Sequence, residues 1–193
     1  MTDKRNVMVG KPKIGGSIFR SPLGIALPTS NSTVLNAGFT GQGYCSDAGV
    51  QFSKNTSFNG FTAWGGDEVA NAEASVTRAW EFLLIEAMNE NVLKTVYGDG
   101  SVTTTAATPT TGATYTVIDT GERLPLSQWV FDLAFEEAMR RIVVPMAKIT
   151  TEDFTITYSD SELVAYPVKL TPYRDKNGAF GYEYSENGIR VIA

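Results

Sequence analysis

The chain has 193 residues, 42% hydrophobic and 11% aromatic, enough for one globular domain that buries roughly 70% of its unfolded surface and too apolar for disorder. Its 16 Lys and Arg against 21 Asp and Glu give a net charge of −5, which argues against a strongly basic nucleic-acid binder. There is no histidine, so Ser-His-Asp and Cys-His catalysis, imidazole metal ligation and a histidine pH switch are all excluded. Cys45 is the single cysteine and can form neither an internal disulfide nor a thiolate zinc site. A lone thiol is compatible with a reducing compartment. No apolar run approaches the ~18 residues of a membrane span, and residues 1–16 lack the apolar stretch of a secretion signal, so a soluble chain with no membrane insertion is expected.

Charge is unevenly spread. Lys4, Arg5, Lys11, Lys13 and Arg20 against Asp3 give the first twenty positions +4, and the remaining 173 carry −9. A basic N-terminal arm, residues 1–36, on an acidic body suits self-recognition, each copy placing its arm against another. The alternative is a solvated, frayed terminus. Ile14, Ile18, Phe19, Leu23, Ile25 and Leu27 argue that something covers the segment.

In chain order, the first candidate strand is 44–54. Residues 69–85 are the most informative: Ala70, Ala72, Ala74, Val76, Trp80, Phe82 and Leu84 alternate with Asn71, Glu73, Ser75, Thr77 and Glu81, a period of two that predicts a strand. The rival is a helix, because Val69, Ala72, Val76, Ala79, Trp80 and Leu83 also fit spacings of three and four. A helix running on through Tyr97 would be too long, which favours the strand. Residues 89–97 predict a helix, with Asn89 or Asn91 as N-cap, Val92, Leu93 and Val96 on one face, and Gly98 as its stop. Residues 98–114, rich in Thr and Gly, read as an exposed loop or the tip of a long hairpin.

Further strands are expected at 115–119, 154–158 and 164–172. Residues 128–149 read as a hairpin turning near 136–140, because Trp129, Phe131, Leu133 and Phe135 alternate with Val130, Asp132 and Ala134, and Pro145 would interrupt the competing helix. The Asn177-Gly178 pair suits a turn with positive φ, by which 164–174 would return as 180–184. No internal repeat or second domain is visible, so 1–193 is expected to be a single, mainly β domain.

Catalytic candidates are few. Glu136-Glu137 and Glu152-Asp153 are adjacent carboxylates, but neighbours on a strand point to opposite faces and cannot share a proton. Gly38, Gly41 and Gly43 lack the Gly-Lys-Ser or Gly-Lys-Thr of a phosphate loop. Asp47, Asp67, Glu68, Asp99 and Asp119 lack calcium-loop spacing. Arg140-Arg141 reads as a strand pair or a subunit salt bridge. Neither an enzyme activity nor a cofactor or metal site is expected. Trp64, Trp80, Trp129, Phe131, Phe135, Tyr166 and Tyr173 suit a core or an interface, with a carbohydrate-stacking platform as the alternative.

The run from Val9-Gly10-Lys11-Pro12 through Trp64-Gly65-Gly66-Asp67, the long strand, Asn91-Val92-Leu93-Lys94 and Tyr97-Gly98 resembles the major tail (tail tube) proteins of long-tailed, non-contractile bacteriophages. In the C-terminal half, Gln128-Trp129-Val130-Phe131-Asp132, Arg141-Ile142-Val143-Val144-Pro145 and Tyr166-Pro167-Val168-Lys169-Leu170-Thr171 look like that family's paired strands. The likeness covers nearly the whole chain. Where the family's hairpin usually carries a Gly- or Asp-rich turn, this chain has Glu136-Glu137-Ala138-Met139.

The resemblance implies two packed antiparallel β-sheets in a sandwich or barrel, one short flanking helix and an extended N-terminal arm. It further implies hexameric rings stacked into a hollow virion tail, assembled in the bacterial cytoplasm, through which double-stranded DNA passes during ejection. The implied partners are other copies of the chain and the tape measure, tail terminator and tail tip proteins. On this reading Asn71, Glu73, Ser75, Thr77, Glu81 and Asp132 line the bore, and Lys4, Arg5, Lys11, Lys13 and Arg20 contact the adjacent ring. The competing expectation is a monomeric β-sandwich that binds carbohydrate or peptide.

Overall fold

Period-two alternation decides the longest element: residues 68–84 form one strand, β4 (Glu68–Leu84), and not the rival helix. The computed structural model describes residues 6–188. In chain order these form β1 (Ile18–Pro22), β2 (Thr40–Gly41), β3 (Gln51–Thr62), β4, α1 (Glu90–Tyr97), β5 (Val102–Thr105), β6 (Thr114–Val117), β7 (Ser127–Phe135), β8 (Ala138–Ile149), β9 (Tyr166–Pro172) and β10 (Tyr182–Glu186). Eight strands make one antiparallel sheet in the order β2-β1-β7-β8-β9-β4-β3, with β10 also on β8, while β5 and β6 make a second, two-stranded sheet. The mainly β fold with two antiparallel sheets and one short helix is therefore present, with one sheet large and the other small.

The core lies on one face of the large sheet. Phe82, Leu84, Trp129, Phe131, Val144 and Leu170 project there and meet Val92 and Leu93 of α1 and Val102 of β5. Edge-to-face contacts of Phe82 with Trp129 (5.7 Å) and Phe131 (5.8 Å) tie β4 to β7 across the face. Helix α1 forms because the Asn89 carboxamide accepts the Asn91 N–H at 2.9 Å, which selects Asn89 over Asn91 as N-cap. Gly98, at φ 100, ends it. The opposite face of the sheet carries Val130 and Val143, which are covered by Phe39, Ile25, Leu27 and Leu35.

That cover revises the arm. Residues 18–22 are β1, paired along β7 from Ile18↔Phe131 to Pro22↔Ser127, and Ile18 is buried in the core. Pairing continues upstream through the Pro12↔Leu133 bridge and the Ala134 N–H donated to the Lys11 carbonyl at 2.9 Å. Within the expected arm of 1–36, Pro12 and residues 18–22 thus pair along the edge that β7 offers, Ile25, Leu27 and Leu35 pack over the sheet, and residues 1–5 lie outside the described residues.

Other expectations shift for similar reasons. Strand 44–54 does not form as one piece: Gly49, at φ 68, closes a turn onto Ser46, and the strand begins at Gln51. It then runs to Thr62 through polar residues, because β4 supplies a partner over that length. Residues 154–158 are not a strand; Phe154 packs on Tyr97 and Tyr166 instead. The 98–114 stretch holds a short 3-10 turn, Asp99–Ser101, and the first strand of a modest hairpin, β5–β6.

The Asn-Gly turn is present, with the Gly178 N–H donated to the Asp175 carbonyl at 2.9 Å, but β10 does not return on β9. Both edges of β9 are occupied, by β4 and by the last residues of β8, so β10 pairs with the free half of β8, Tyr182↔Val143 to Glu186↔Met139. The β7–β8 turn tightens to Glu136-Glu137, since Phe135 pairs with Ala138. Glu136 takes a positive φ of 54° there, a conformation that favours glycine. Replacing Glu136 by Gly should therefore raise stability by about 0.5–1 kcal/mol, seen as a higher denaturant midpoint with an unchanged slope.

The Tyr182 hydroxyl donates to Asp175 at 2.6 Å, and this bond, with the Ala179 and Asn177 N–H groups, holds the Asp175 carboxyl below its ordinary range. A depressed folded pKa stabilises fully above the unfolded value, about 3.9, and that contribution is lost as pH falls through the lower folded value. The stability gap between wild type and Asp175→Asn should accordingly be full near neutrality and close in strong acid, which thermal melts across pH will show.

Candidate functional site: a projecting hairpin

The chain supplies β4 with a second neighbour for only part of its length. Trp80 to Leu84 pair with Leu170 to Tyr166 of β9, whereas residues 68–79 pair with β3 alone. Those twelve residues, at ~3.3 Å each, carry a two-stranded ribbon roughly 40 Å away from the sheet. Strand β3 is the terminal strand of the sheet, so the ribbon has an unpaired edge on either side among the described residues. Its root is an aromatic stack, with Trp80 against Phe131 at 5.2 Å and against Phe52 at 4.5 Å.

The two faces of the ribbon differ in chemistry. On one face Asn71, Glu73, Ser75, Thr77 and Glu81 lie beside Gly60, Phe58, Ser57, Asn55 and Gln51 by register, with Ser57 and Ser75 sharing a hydrogen bond of 2.7 Å. A bulge between Ser57 and Phe58 keeps the pairing going. No lysine or arginine of the ribbon stands on this face. Lys54 and Arg78, in register with each other, stand on the opposite one with Ala70, Ala72, Ala74 and Val76. Next along the sheet on the polar face, Lys169 is held by Glu81 at 3.1 Å, while Lys148 is half-buried. At the tip Trp64 is fully exposed, and Phe58 and Phe61 are more than half exposed.

Five of the six expected bore residues therefore share one exposed face, and Asp132 does not join them. Its position in β7 alternates to the same side of the sheet, but the loop at residues 30–33 covers it, leaving it 5% exposed. There Asp132 forms a two-bonded ion pair with Arg141, Oδ1 to Nε and Oδ2 to Nη2 both at 2.6 Å, and Arg141 also donates to the Ser30 and Thr33 carbonyls. Sequence parity could not reveal that cover, since it arises from a segment a hundred residues away.

The arm cations separate as well. Lys4 and Arg5 lie outside the described residues. Arg20 is buried, reaching Asp99 at 3.2 Å and Thr95 Oγ1 at 3.5 Å, and so braces β1 to the end of α1. Lys11 rests on the Phe135 ring at 5.7 Å, and Lys13 is exposed.

A cleft of about 320 Å³ between the root of the ribbon and residues 151–153 brings Glu81 of β4 together with Glu152, Asp153 and Lys169. Glu136 and Glu137 form a turn, and no group of three His, Cys, Asp or Glu is placed to hold a metal among the described residues. Burial pushes the Cys45 thiol pKa up. Trp129 is fully buried, Trp80 half-buried and Trp64 at the ribbon tip, so the tryptophans share no platform. The cleft between α1 and residues 149–154, about 410 Å³, has Tyr97 and Phe154 on its wall with Asp119 and Glu122, and no carboxamide among its lining residues. No helix among the described residues is long and apolar enough to cross a membrane.

No protein-family model matches this sequence, and no curated protein matches it either.

Removing one partner of the Asp132–Arg141 pair leaves a buried charge uncompensated. Asp132→Ala should cost about 3–5 kcal/mol in chemical denaturation, and a loss below 1 kcal/mol would show the pair to be well hydrated.

Proposed function

We propose that the chain is a structural subunit that closes its projecting ribbon against other copies to form rings, and that the rings stack into a hollow tube of the phage-tail kind, a conduit for double-stranded DNA. The single observation that carries this reading is the ribbon itself. Two strands alone are marginally stable in water, and this pair leaves two edges unpaired among the described residues and a stripe of Ala70, Ala72 and Ala74 exposed, with Val76 half-buried. A second copy laid against an edge extends the hydrogen-bond ladder, and a ring of copies removes the edges altogether.

The polar face then becomes the wall of the bore. Duplex DNA presents a negative charge about every 1.7 Å of its axis, so a lysine-lined wall would hold it, whereas Asn71, Glu73, Ser75 and Thr77 let it slide. Residues 1–10, basic and upstream of the segment anchored on β7, are the part of the arm left to bridge adjacent rings. The tape measure, terminator and tip proteins enter as partners through the family resemblance alone, and with them a place in the virion tail.

Negative-stain imaging of the purified chain tests the reading: rings or tubes are expected, and a protein that remains monomeric at every concentration and salt condition would refute it. Phage carrying Glu73→Lys and Thr77→Lys should build tails and release DNA more slowly. Release at the wild-type rate would take these residues off the wall. Deleting residues 1–10 spares the Lys11 and Lys13 bonds to β7, so the truncated chain should fold with an unchanged melting temperature and yield rings without long tubes.

A further inference from the structure

Three cations without carboxylate partners among the described residues gather at the root of the ribbon. The Arg78 guanidinium lies 4.1 Å from the centre of the Phe180 ring and that of Arg174 lies 4.7 Å from the same centre. Lys54 stands opposite Arg78 on β3, on the same face. Among the described residues none of the three takes part in an ion pair, and Lys54 and Arg174 are exposed. Like charges directly opposite one another across strands are unfavourable. Two guanidiniums gathered on one ring add to that repulsion and hold their planar donors in a fixed place. Folding of the single chain gains little from this arrangement, whereas an anionic partner would gain a preorganised receptor.

The chain also carries the complementary surface. Residues 151–163 bear Glu152, Asp153, Asp160 and Glu162, with no lysine or arginine between them, and all four are exposed and outside any ion pair among the described residues. The segment has no regular structure, and it carries Tyr158 and Leu163, 74% and 72% exposed.

We infer that the Lys54–Arg78–Arg174 cluster around Phe180 receives the acidic 151–163 segment of a second copy of this chain. Donor and receptor lie on different parts of the subunit, so each copy can give to one neighbour and receive from another, the head-to-tail contact that closes into rings or continues as a stack. It rests on the proposed self-assembly and names the surfaces that bring it about. The arginine pair supplies charge-assisted hydrogen bonds to carboxylates, and the pairing fixes the register of neighbours more than it adds affinity.

Two charge-reversed full-length chains test it, R78E/R174E and E152K/D153K/D160K/E162K, each checked for folding by circular dichroism and melting temperature. Each alone should need about a tenfold higher concentration than wild type to assemble, measured by sedimentation. An equimolar mixture should assemble again, because in an alternating array every reversed patch meets a reversed segment. Assembly of folded R78E/R174E at the wild-type concentration, or failure of the mixture to restore it, overturns the inference while leaving the proposed function intact. A wild-type chain that never assembles overturns both. Loss of duplex-DNA binding in R78E/R174E with normal assembly overturns it in favour of a nucleic-acid contact.

Discussion

Unmet backbone pairing is the constraint on which the rest of this structure turns. Strand β4 is seventeen residues long, yet only its last five have neighbours on both edges. Those five lie over the core, where Phe82 and Leu84 pack with Trp129 and Phe131. The preceding twelve pair with β3 alone. Most side chains of the ribbon are exposed, Ala70, Ala72 and Ala74 among them, and ordering it costs roughly 1–2 kcal/mol of backbone entropy per residue. A neighbour offers the missing ladder and the missing cover at once.

The distribution of charge has the same logic. Near the polar face Lys169 is paired with Glu81, Arg141 with Asp132 beneath the 30–33 loop, and Lys148 is half-buried. Arg20 is turned into the fold against Asp99. Lys54, Arg78 and Arg174, without carboxylate partners among the described residues, gather at the foot of the ribbon, Lys54 and Arg78 on its other face. The polar face of the ribbon thus carries no lysine or arginine, and its other face carries Lys54 and Arg78.

Much of the fold was legible where a periodic pattern met a local stop. Alternation marked β4 and the β7–β8 hairpin, and Asn89 with Gly98 bracketed the helix. What was not legible depended on partners distant in sequence. The polar residues of β3 have weak strand propensity and are extended only because β4 is. Residues 154–158 have a strand-like composition, but the aromatic contacts of Phe154 replace a ladder. β10 chose β8 because β9 had no edge left. Among the site residues, parity placed Asn71, Glu73, Ser75, Thr77 and Glu81 on one face, but alternation within β7 could not show the loop that buries Asp132. The Arg78–Phe180–Arg174 contact joins positions more than ninety residues apart and leaves no mark in either local pattern; Arg78 stood out only as the charged break in an otherwise apolar alternation.

That break has a physical reading. Copies of a chain with net charge −5 repel one another, and the repulsion grows as they are brought into rings and the rings into stacks. Association by apolar cover alone would have to overcome it at every contact and would not specify which surface meets which. In the proposed contact, unpaired arginines at the base of the ribbon, meeting the acidic segment of another copy, would turn a diffuse repulsion into a local attraction with a direction. An arginine in the apolar stripe is costly to the isolated strand, but it stands where the ribbon leaves the sheet, the one place on β4 where the packed sheet ends and the unpaired ribbon begins.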